Sequence, residues 1–213
     1  MSEDRLIIFT RYPVPGKTKT RLIPALGVEG AAALQKQMTE RTVARARQLR
    51  QEQPLFLEVR YEGSRASSMQ EWLGSDLAFA AQRSGHLGLR MARAFQQAFR
   101  VGCKRVVLVG TDCPGLSVFL LREAFHHLQD NEVVLGPARD GGYYLLGLRF
   151  FLPQIFEGIS WGTSTVLEKT LRTLGPLALS VFLLKTLGDV DRPEDLIASQ
   201  QAVSPVHFHP PRN

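Results

Sequence analysis

Short apolar runs separated by polar and glycine-rich segments predict the strands of this chain. Residues 106–109, Val-Val-Leu-Val, show no polar alternation, which is typical of a parallel strand covered on both faces. Pro114 ends this segment, because proline has no N–H for a strand ladder. The other predicted strands lie at residues 5–10, 54–61, 77–82, 132–135, 143–148 and 177–184.

Apolar residues recur at helical spacing between most of these strands. In residues 29–50, Ala31, Leu34 and Met38 keep that spacing with polar residues between them, as in an amphipathic helix. Thr165 and Glu168 have the spacing of a capping box, which predicts a helix ending near residue 174. The other predicted helices lie at residues 69–73, 89–101, 117–129 and from residue 192 onward.

The alternation of strands and helices predicts an α/β fold with a mostly parallel, doubly wound sheet. The consecutive strands on either side of Asp140-Gly141-Gly142 predict an antiparallel addition to that sheet. We expect residues 1–200 to form one domain, since single α/β domains often reach this length. Residues 201–213 contain three prolines and are expected to form a loose tail.

Composition narrows the class of protein. Of the 213 residues, 44% are hydrophobic and 22% are charged, which is ordinary for a soluble globular domain. There is no apolar run long enough to span a membrane, and the first residues do not resemble a signal peptide, so we expect a cytoplasmic protein. Cys103 and Cys113 lack metal-binding spacing, and Cys113 is interpreted as a small buried residue rather than a nucleophile.

The net charge of +6 has two interpretations, nucleic-acid binding and binding of a small anion. Basic residues are spread over the predicted helices without an aromatic-interleaved patch, which argues against nucleic acid. The densest basic cluster is short and contains glycine, which favours a small anionic ligand. No feature of the pattern specifies an oligomeric state.

That basic cluster directly follows the first predicted strand. Its cations surround Pro15 and Gly16, and they are Arg11, Lys17, Lys19 and Arg21. Backbone N–H groups of a glycine loop together with several cations form a cradle for anions; the alternative is a basic loop that faces water. A Walker A loop is excluded, because it needs a glycine where Arg11 stands.

Carboxylates follow several predicted strands. Asp112 comes after residues 106–109, either as a turn or capping residue or as the ligand of a hard cation. Asp140 begins a turn that is equally typical of a hairpin and of a binding site. An extended backbone would turn Asp189 and Asp191 to one side, although Asp191 could instead cap the next helix. Since ligands bind at the carboxyl ends of strands in such sheets, these groups fit a divalent cation that carries a phosphate.

Six groups of residues occur in an order that resembles one family. They are Pro13-Val14-Pro15-Gly16 with Lys19-Thr20-Arg21-Leu22; Gln82 with Gly85, Leu87-Gly88 and Arg90-Met91; Gly110-Thr111-Asp112 with Pro114; residues 135–138 with 140–147; Trp161-Gly162-Thr163; and Asp189-Val190-Asp191 with Glu194-Asp195-Leu196. The chain resembles the GT-A-like transferases of the radical-SAM/selenodomain-associated family, type 1 branch, often labelled glycosyltransferases. Relatives of that family include molybdopterin-cofactor nucleotidyltransferases and phospholactate guanylyltransferase. The resemblance covers residues 5–196 and implies the GT-A, or nucleotide-diphospho-sugar transferase, fold.

The resemblance also implies roles for individual residues. It implies that Asp112 and Asp191 bind Mg²⁺ or Mn²⁺, and that Asp112, Lys19 and Asp140 take part in catalysis. It implies that the nucleotide is bound by Arg11, Pro15, Gly16, Lys17, Lys19, Arg21, Gln82, Gly85 and Thr111. It implies that the acceptor is bound by Asp140, Gly141, Gly142, Tyr143, Trp161 and Gly162.

Two positions depart from the family's pattern. His86 stands where the family commonly has aspartate in the loop after Gln82, which leaves the role of that loop in donor recognition open. Arg11 stands where lysine is more common. Both departures spare the metal ligands that the resemblance implies.

Three functions fit these residues. In the first, a nucleotide sugar donates its sugar to a small-molecule acceptor. In the second, a nucleoside triphosphate donates its nucleotidyl group and releases pyrophosphate. The basic loop favours a triphosphate, whereas the family label favours sugar transfer. In the third, the chain is a nucleotide-binding regulator without turnover, against which the presence of Asp112 and Asp191 argues.

Overall fold

The computed structural model describes residues 3–196 of the chain. Every strand in this range belongs to a single seven-stranded sheet. The strands are β1 (Asp4–Arg11), β2 (Phe56–Glu62), β3 (Ala78–Ala81), β4 (Arg105–Val109), β5 (Val133–Pro137), β6 (Tyr143–Leu148) and β7 (Val181–Leu183).

Helices connect most of these strands. They are α1 (Ile23–Glu52), α2 (Ala66–Leu73), α3 (Leu87–Arg100), α4 (Val118–His127) and α5 (Val166–Leu174). Short 3₁₀ segments lie at Thr20–Leu22, Pro153–Phe156 and Gly175–Leu177. The last described residues, 193–196, are helical, as predicted. The tail predicted at residues 201–213 lies outside the described residues.

The strand order β3-β2-β1-β4-β6-β5-β7 confirms the predicted doubly wound sheet. Strand β6 is antiparallel to both β4 and β5, and the other neighbouring strands are parallel. The predicted antiparallel addition is therefore confirmed. It lies inside the sheet, because β6 returns from the turn at residues 138–142 to pair with the central strand β4.

The two faces of the sheet are covered by different helices. One face packs against α1, α2 and α4, and the other against α3, α5 and the segment Pro153–Phe156. Side chains of β1 alternate between these layers: Leu6 and Ile8 enter the first, and Ile7 and Phe9 the second. This alternation at buried positions explains why the strand is apolar without a polar face.

Three local predictions were wrong. The last strand is only three residues long, because a 3₁₀ turn and a left-handed Ala178 (φ 51°) precede it. Helix α1 begins earlier than predicted, with Pro24 in its first turn and an interruption at Gly27 (φ 71°). Thr165 makes no capping hydrogen bond to α5; its hydroxyl pairs with that of Thr163 at 3.0 Å.

Helix α1 is the longest helix of the chain within residues 3–196, with 30 residues. It is not apolar, since glutamine, lysine, glutamate and arginine recur along it. No helix in the described range combines the length and apolarity that crossing a membrane requires.

Candidate active site

A cavity of about 570 Å³ lies at the carboxyl ends of β1 and β4. Its lining includes Arg11 from the end of β1, Asp112 from the segment after β4, Tyr143 from the start of β6, and Asp191. Ligands bind at this edge in open α/β sheets, so the cavity stands where the strand order predicts a site.

Asp112 forms an ion pair inside this cavity. The ammonium of Lys19 lies 2.7 Å from Asp112 Oδ1, and the Lys19 side chain is only 4% exposed, whereas that of Asp112 is 51% exposed. Ser117, not Asp112, caps α4, so the capping interpretation of Asp112 is wrong. Lys19 has a left-handed backbone (φ 48°), which is rare outside glycine and is concentrated at functional sites.

Residues 189–191 are hydrogen-bonded to the segment that follows β4. The N–H of Val190 donates to the Asp112 carbonyl at 2.9 Å, and the Val190 carbonyl accepts from Lys19 Nζ at 2.7 Å. Asp191 pairs with Arg21 and lies 3.9 Å from Lys19 Nζ. The N–H groups of residues 191 and 192 are capped by Asp195 at 3.0 and 2.7 Å, so Asp191 is not the cap of this terminus.

Asp189 also lines the cavity, as the alternation of residues 189 and 191 predicts. Burial raises the pKa of Asp189, and the charges of Asp140, Asp195 and Asp112 raise it further. Cys113, next to Asp112, is 5% exposed, and burial raises the pKa of its thiol well above the ordinary value. The prediction that Cys113 is a buried residue is therefore confirmed, and a raised thiol pKa disfavours the thiolate that a nucleophilic cysteine needs.

A second group of charges lines the cavity at the ends of β1 and β2. Glu62 Oε2 accepts from Arg11 at 2.9 Å and from Arg90 at 3.0 Å. Burial alone would raise the pKa of Glu62, but hydrogen bonds and charges from the two arginines hold it below its ordinary value. Gln82 Nε2 donates to the carbonyls of Thr10 and Arg60 at 3.0 and 2.9 Å, and its Oε1 accepts from Arg90 at 2.9 Å. Gln82 therefore orients Arg90 as well as lining the cavity.

Buried polar residues form part of the cavity wall. Gln35 of α1 lines the cavity, and its Nε2 lies 3.3 Å from the Thr10 hydroxyl and 3.5 Å from that of Thr111. The same Nε2 donates to Thr39 at 3.2 Å. These contacts join α1 to the ends of β1 and β4, so they hold the segment that carries Thr111 and Asp112 against α1.

Glycines allow close packing in the part of the cavity wall that contains Tyr143 and Trp161. Gly141 has a φ of 88°, and a Cβ there would lie 2.0 Å from the Ser164 carbonyl oxygen, so the turn requires glycine. A Cβ on Gly88 would lie 2.1 Å from Trp161 Nε1, which shows that the indole packs directly on the start of α3. Trp161 meets Tyr143 edge-on, with ring centroids 6.2 Å apart. Asp140 Oδ1 accepts from the Gly142 N–H at 2.8 Å in the same turn.

The structure brings most of the predicted site residues to one cavity. Those that line it are Arg11, Lys19, Arg21, Gln82, Thr111, Asp112, Asp140, Gly142, Tyr143, Trp161, Gly162 and Asp191. Five predicted residues do not line it, namely Pro15, Gly16, Lys17, Gly85 and Gly141. Gly16 and Gly85 instead have positive φ angles of 74° and 118° in the loops that lead to the cavity. His86 caps α3, because its Nδ1 accepts a hydrogen bond from the Leu89 N–H at 3.3 Å. An aspartate at this position would cap the helix in the same way.

Sequence reasoning gave no role to several residues of the lining, among them Gln35, Glu62, Arg90 and Tyr144. A signal for Gln35 was present, since Gln35, Thr39 and Thr42 recur at helical spacing among the buried residues of α1. Glu62 had no comparable signal, because its role depends on how β2 is placed beside β1.

The carboxylates suit a hard cation only when phosphates complete the site. Within residues 3–196, no three aspartate, glutamate, histidine or cysteine side chains are grouped as a metal site. Carboxylate oxygens of Asp112 and Asp191 lie 2.7 and 3.9 Å from the Lys19 ammonium, so this place already holds a cationic group. Mg²⁺ is commonly held by one or two carboxylates together with phosphates, so the donor set fits it.

Known structures place this fold among transferases. A protein from Desulfovibrio desulfuricans G20, provisionally named a nucleotide-diphospho-sugar transferase, is 37% identical over 98% of this chain and 90% of its own, with a TM-score of 0.88. The 4-diphosphocytidyl-2C-methyl-D-erythritol synthase of Anaerococcus prevotii DSM 20548 is 11% identical, with a TM-score of 0.60 over 95% of this chain and 97% of its own. Glucosyl-3-phosphoglycerate synthase of Mycobacterium tuberculosis, solved with Mn²⁺, UDP and glucosyl-3-phosphoglycerate, is 11% identical, with a TM-score of 0.52 over 93% and 76%. The predicted nucleotide-diphospho-sugar transferase fold is confirmed.

Sequence comparison identifies the family. Among curated proteins, none matches this chain significantly. Residues 42–163, more than half of the chain, match a bacterial family model. Together with the 37% identical relative, this match shows that the chain belongs to the family described as "Uncharacterized protein conserved in bacteria (DUF2064)".

Proposed function

We propose that this protein is a metal-dependent transferase that moves a sugar from a nucleotide-sugar donor to a small-molecule acceptor. One observation carries the proposal: Asp112, Asp191 and the buried Lys19 meet at the end of β4, in a cavity that Arg11 and Arg21 also line. Carboxylates for a divalent cation beside cations for phosphates are the groups that transfer from a nucleotide requires.

In this proposal the two sets of groups divide the work. Asp112 and Asp191 hold Mg²⁺ or Mn²⁺, which when bound neutralises phosphate charge and stabilises the leaving nucleoside diphosphate. Lys19 and Arg21 leave their carboxylate partners for the phosphates, and Arg11 approaches the nucleotide from the end of β1. Asp140 and the wall of Tyr143 and Trp161 bind the acceptor. Gln82 holds Arg90 in place, and Thr111 orients the segment that carries Asp112.

Nucleotidyl transfer is the second candidate. Four cationic side chains line the cavity, and such a set suits a triphosphate; the synthase from Anaerococcus prevotii has the same fold. The provisional name of the 37% identical relative favours sugar transfer. A regulator without turnover is the weakest reading, because it gives no reason to keep Asp112 and Asp191 beside Lys19. The association with radical-SAM proteins and the cytoplasmic location stay predictions.

Thermal unfolding tests the proposal. Nucleotide sugars, nucleoside diphosphates and nucleoside triphosphates are screened with and without Mn²⁺, the metal in the complex of the mycobacterial synthase. A ligand at about 100 times its Kd stabilises the fold by about 2.7 kcal/mol. For a domain of this size we therefore expect a rise in Tm of roughly 5–10 °C that depends on the metal. Asp112→Asn is expected to lose most of this shift and to abolish transfer, while its own Tm stays near that of the wild type.

A matched control separates the site from a general loss of charge. Asp130 is exposed in the turn after α4 and does not line the cavity, so Asp130→Asn is expected to keep the full metal-dependent shift. The proposal fails if Asp112→Asn keeps the shift and full activity with the metal chelated. If triphosphates shift the Tm and nucleotide sugars do not, nucleotidyl transfer replaces sugar transfer.

A further inference from the structure

The distribution of charge in the cavity indicates the chemical class of the proposed small-molecule acceptor. We infer that the acceptor is an uncharged or cationic molecule that presents hydroxyl or amine groups, and that it carries no phosphate. This inference rests on the proposed transfer from a nucleotide donor. It is argued from the cations, the carboxylates and the aromatic wall of the described residues.

Every cationic side chain of the described cavity lining has a carboxylate partner. Arg11 and Arg90 share Glu62. Lys19 pairs with Asp112, and Arg21 pairs with Asp191. These four cations lie at the ends of β1 and β2 or beside the proposed metal ligands, where the donor's phosphates are proposed to bind. Recognition of a second phosphate would need another cation, and the described lining contains none.

Two carboxylates of the described lining, by contrast, have no cation that balances their charge. Asp140 and Asp189 both line the cavity, and within residues 3–196 neither forms an ion pair with lysine, arginine or histidine. An acceptor phosphate beside these two residues would be repelled by like charge, which is costly in a partly desolvated site. Ionised carboxylates accept hydrogen bonds from hydroxyl groups and pair with ammonium groups.

The aromatic residues of the cavity wall support this conclusion. Tyr143 and Trp161 both line the cavity, and their rings meet edge-on with centroids 6.2 Å apart. Aromatic rings attract cations and apolar faces of a ligand rather than phosphates.

The net charge of the cavity lining also argues against a phosphorylated acceptor. Among residues 3–196, its lining contains five carboxylates, from Glu62, Asp112, Asp140, Asp189 and Asp191, against four cations. A divalent cation and the diphosphate of a nucleotide sugar roughly compensate each other. A phosphorylated acceptor would then add negative charge to a lining that is already short of cations, and unpaired buried charge is strongly unfavourable.

Matched pairs of acceptor probes test this inference on the wild-type protein. The pairs are methyl α-D-glucopyranoside with α-D-glucose 1-phosphate, glycerol with glycerol 3-phosphate, and ethanolamine with phosphoethanolamine. Saturation-transfer NMR measures the Kd of each probe in Mg²⁺ with UDP, or with the nucleoside diphosphate that gives the largest thermal shift, at saturation. We expect the unphosphorylated member of at least one pair to bind about 10-fold more tightly than its partner, or better.

A variant links that preference to the carboxylates. Asp140→Asn removes the charge but keeps an oxygen for the Gly142 N–H, so the turn is retained. We expect the preference to shrink several-fold in Asp140→Asn and to be unchanged in Asp130→Asn. Tighter binding of the phosphorylated members, or no binding by any unphosphorylated probe, overturns the inference while the nucleotide-dependent shift leaves the proposed function intact. Absence of any nucleotide binding overturns both.

Discussion

The two sides of the cavity differ in how their charges are balanced. On the donor side, at the ends of β1, β2 and β4, four cations are each matched by a carboxylate. On the acceptor side, Asp140 has no cationic partner within residues 3–196, and Tyr143 and Trp161 complete the wall. Cations held in ion pairs can exchange their carboxylate partners for an incoming anion, whereas unpaired carboxylates repel one.

Because of this difference, we expect mutations on the two sides of the cavity to affect the binding of different ligands. Changes among the cations and their partners should alter nucleotide binding and leave neutral acceptors unaffected. Changes at the aromatic wall should do the reverse. A variant that affects both ligands equally would show that the cavity is one undivided site.

Removal of the Lys19 charge should have the largest effect. The Lys19 ammonium is buried and lies 2.7 Å from both Asp112 Oδ1 and the Val190 carbonyl oxygen, so it contributes charge-assisted bonds in a site shielded from water. We expect Lys19→Met to weaken nucleotide binding by about 10- to 100-fold, since hydrogen bonds to charged groups contribute roughly 1.5–3 kcal/mol. Isothermal titration with the nucleotide in Mg²⁺ measures this change.

The control for Lys19→Met is Lys36→Met, on the exposed side of α1 beside Glu40. That substitution removes the same charge from the chain without touching the cavity, and nucleotide affinity should stay within about twofold, because exposed pairs contribute little. Equal weakening of nucleotide and methyl glucoside binding by Lys19→Met would contradict the division of the cavity.

A smaller effect is expected at the acceptor wall. In Gly88→Ala the new Cβ would lie 2.1 Å from Trp161 Nε1, so the indole must move. Such overpacking costs about 1–3 kcal/mol. We expect methyl glucoside binding to fall by about 10-fold and nucleotide binding to change little, and NMR and calorimetry measure the two affinities separately.

Gly175→Ala is the matched control for that substitution. Gly175 has an ordinary φ of −50°, and a Cβ there would meet nothing within 4 Å. Its Tm and both affinities should match those of the wild type. If Gly88→Ala weakens nucleotide binding as much as acceptor binding, Trp161 does not belong to a separate acceptor wall.

The sequence predicts the segments on each side of the cavity better than the contacts between them. Apolar runs and helical spacing depend on local periodicity, so they place β1, β4, β6 and α3 within a few residues of their observed ends. The sheet edge where Asp112 and Asp191 meet follows from the rule that parallel strands present their carboxyl ends together. Local pattern and topology therefore suffice to locate the site.

The pairing of charges could not be predicted, because it depends on distances between segments far apart in the chain. Lys19 bonds to Val190, which lies 171 residues away, and Glu62 joins Arg11 to Arg90. Likewise, the sequence presents Gly16 and Lys17 as a phosphate loop, whereas the structure turns Lys17 outward and uses its carbonyl to accept from Arg11 at 3.3 Å. A residue type at a plausible position does not determine where its side chain points.

The smallest predicted effect concerns Glu62, the carboxylate shared by Arg11 and Arg90. Its side chain is 44% exposed and Arg11 is 49% exposed, so the pair is screened by solvent and contributes roughly 0–1 kcal/mol. In Glu62→Gln the amide oxygen still accepts from an arginine, but the negative charge that competes with a phosphate is gone. We therefore expect nucleotide affinity to rise by about 2- to 5-fold, with a steeper dependence on salt and no change in methyl glucoside binding. A fall in nucleotide affinity would mean that Glu62 serves mainly to position the two arginines, and that the donor side works as a rigid cradle rather than as a set of exchangeable ion pairs.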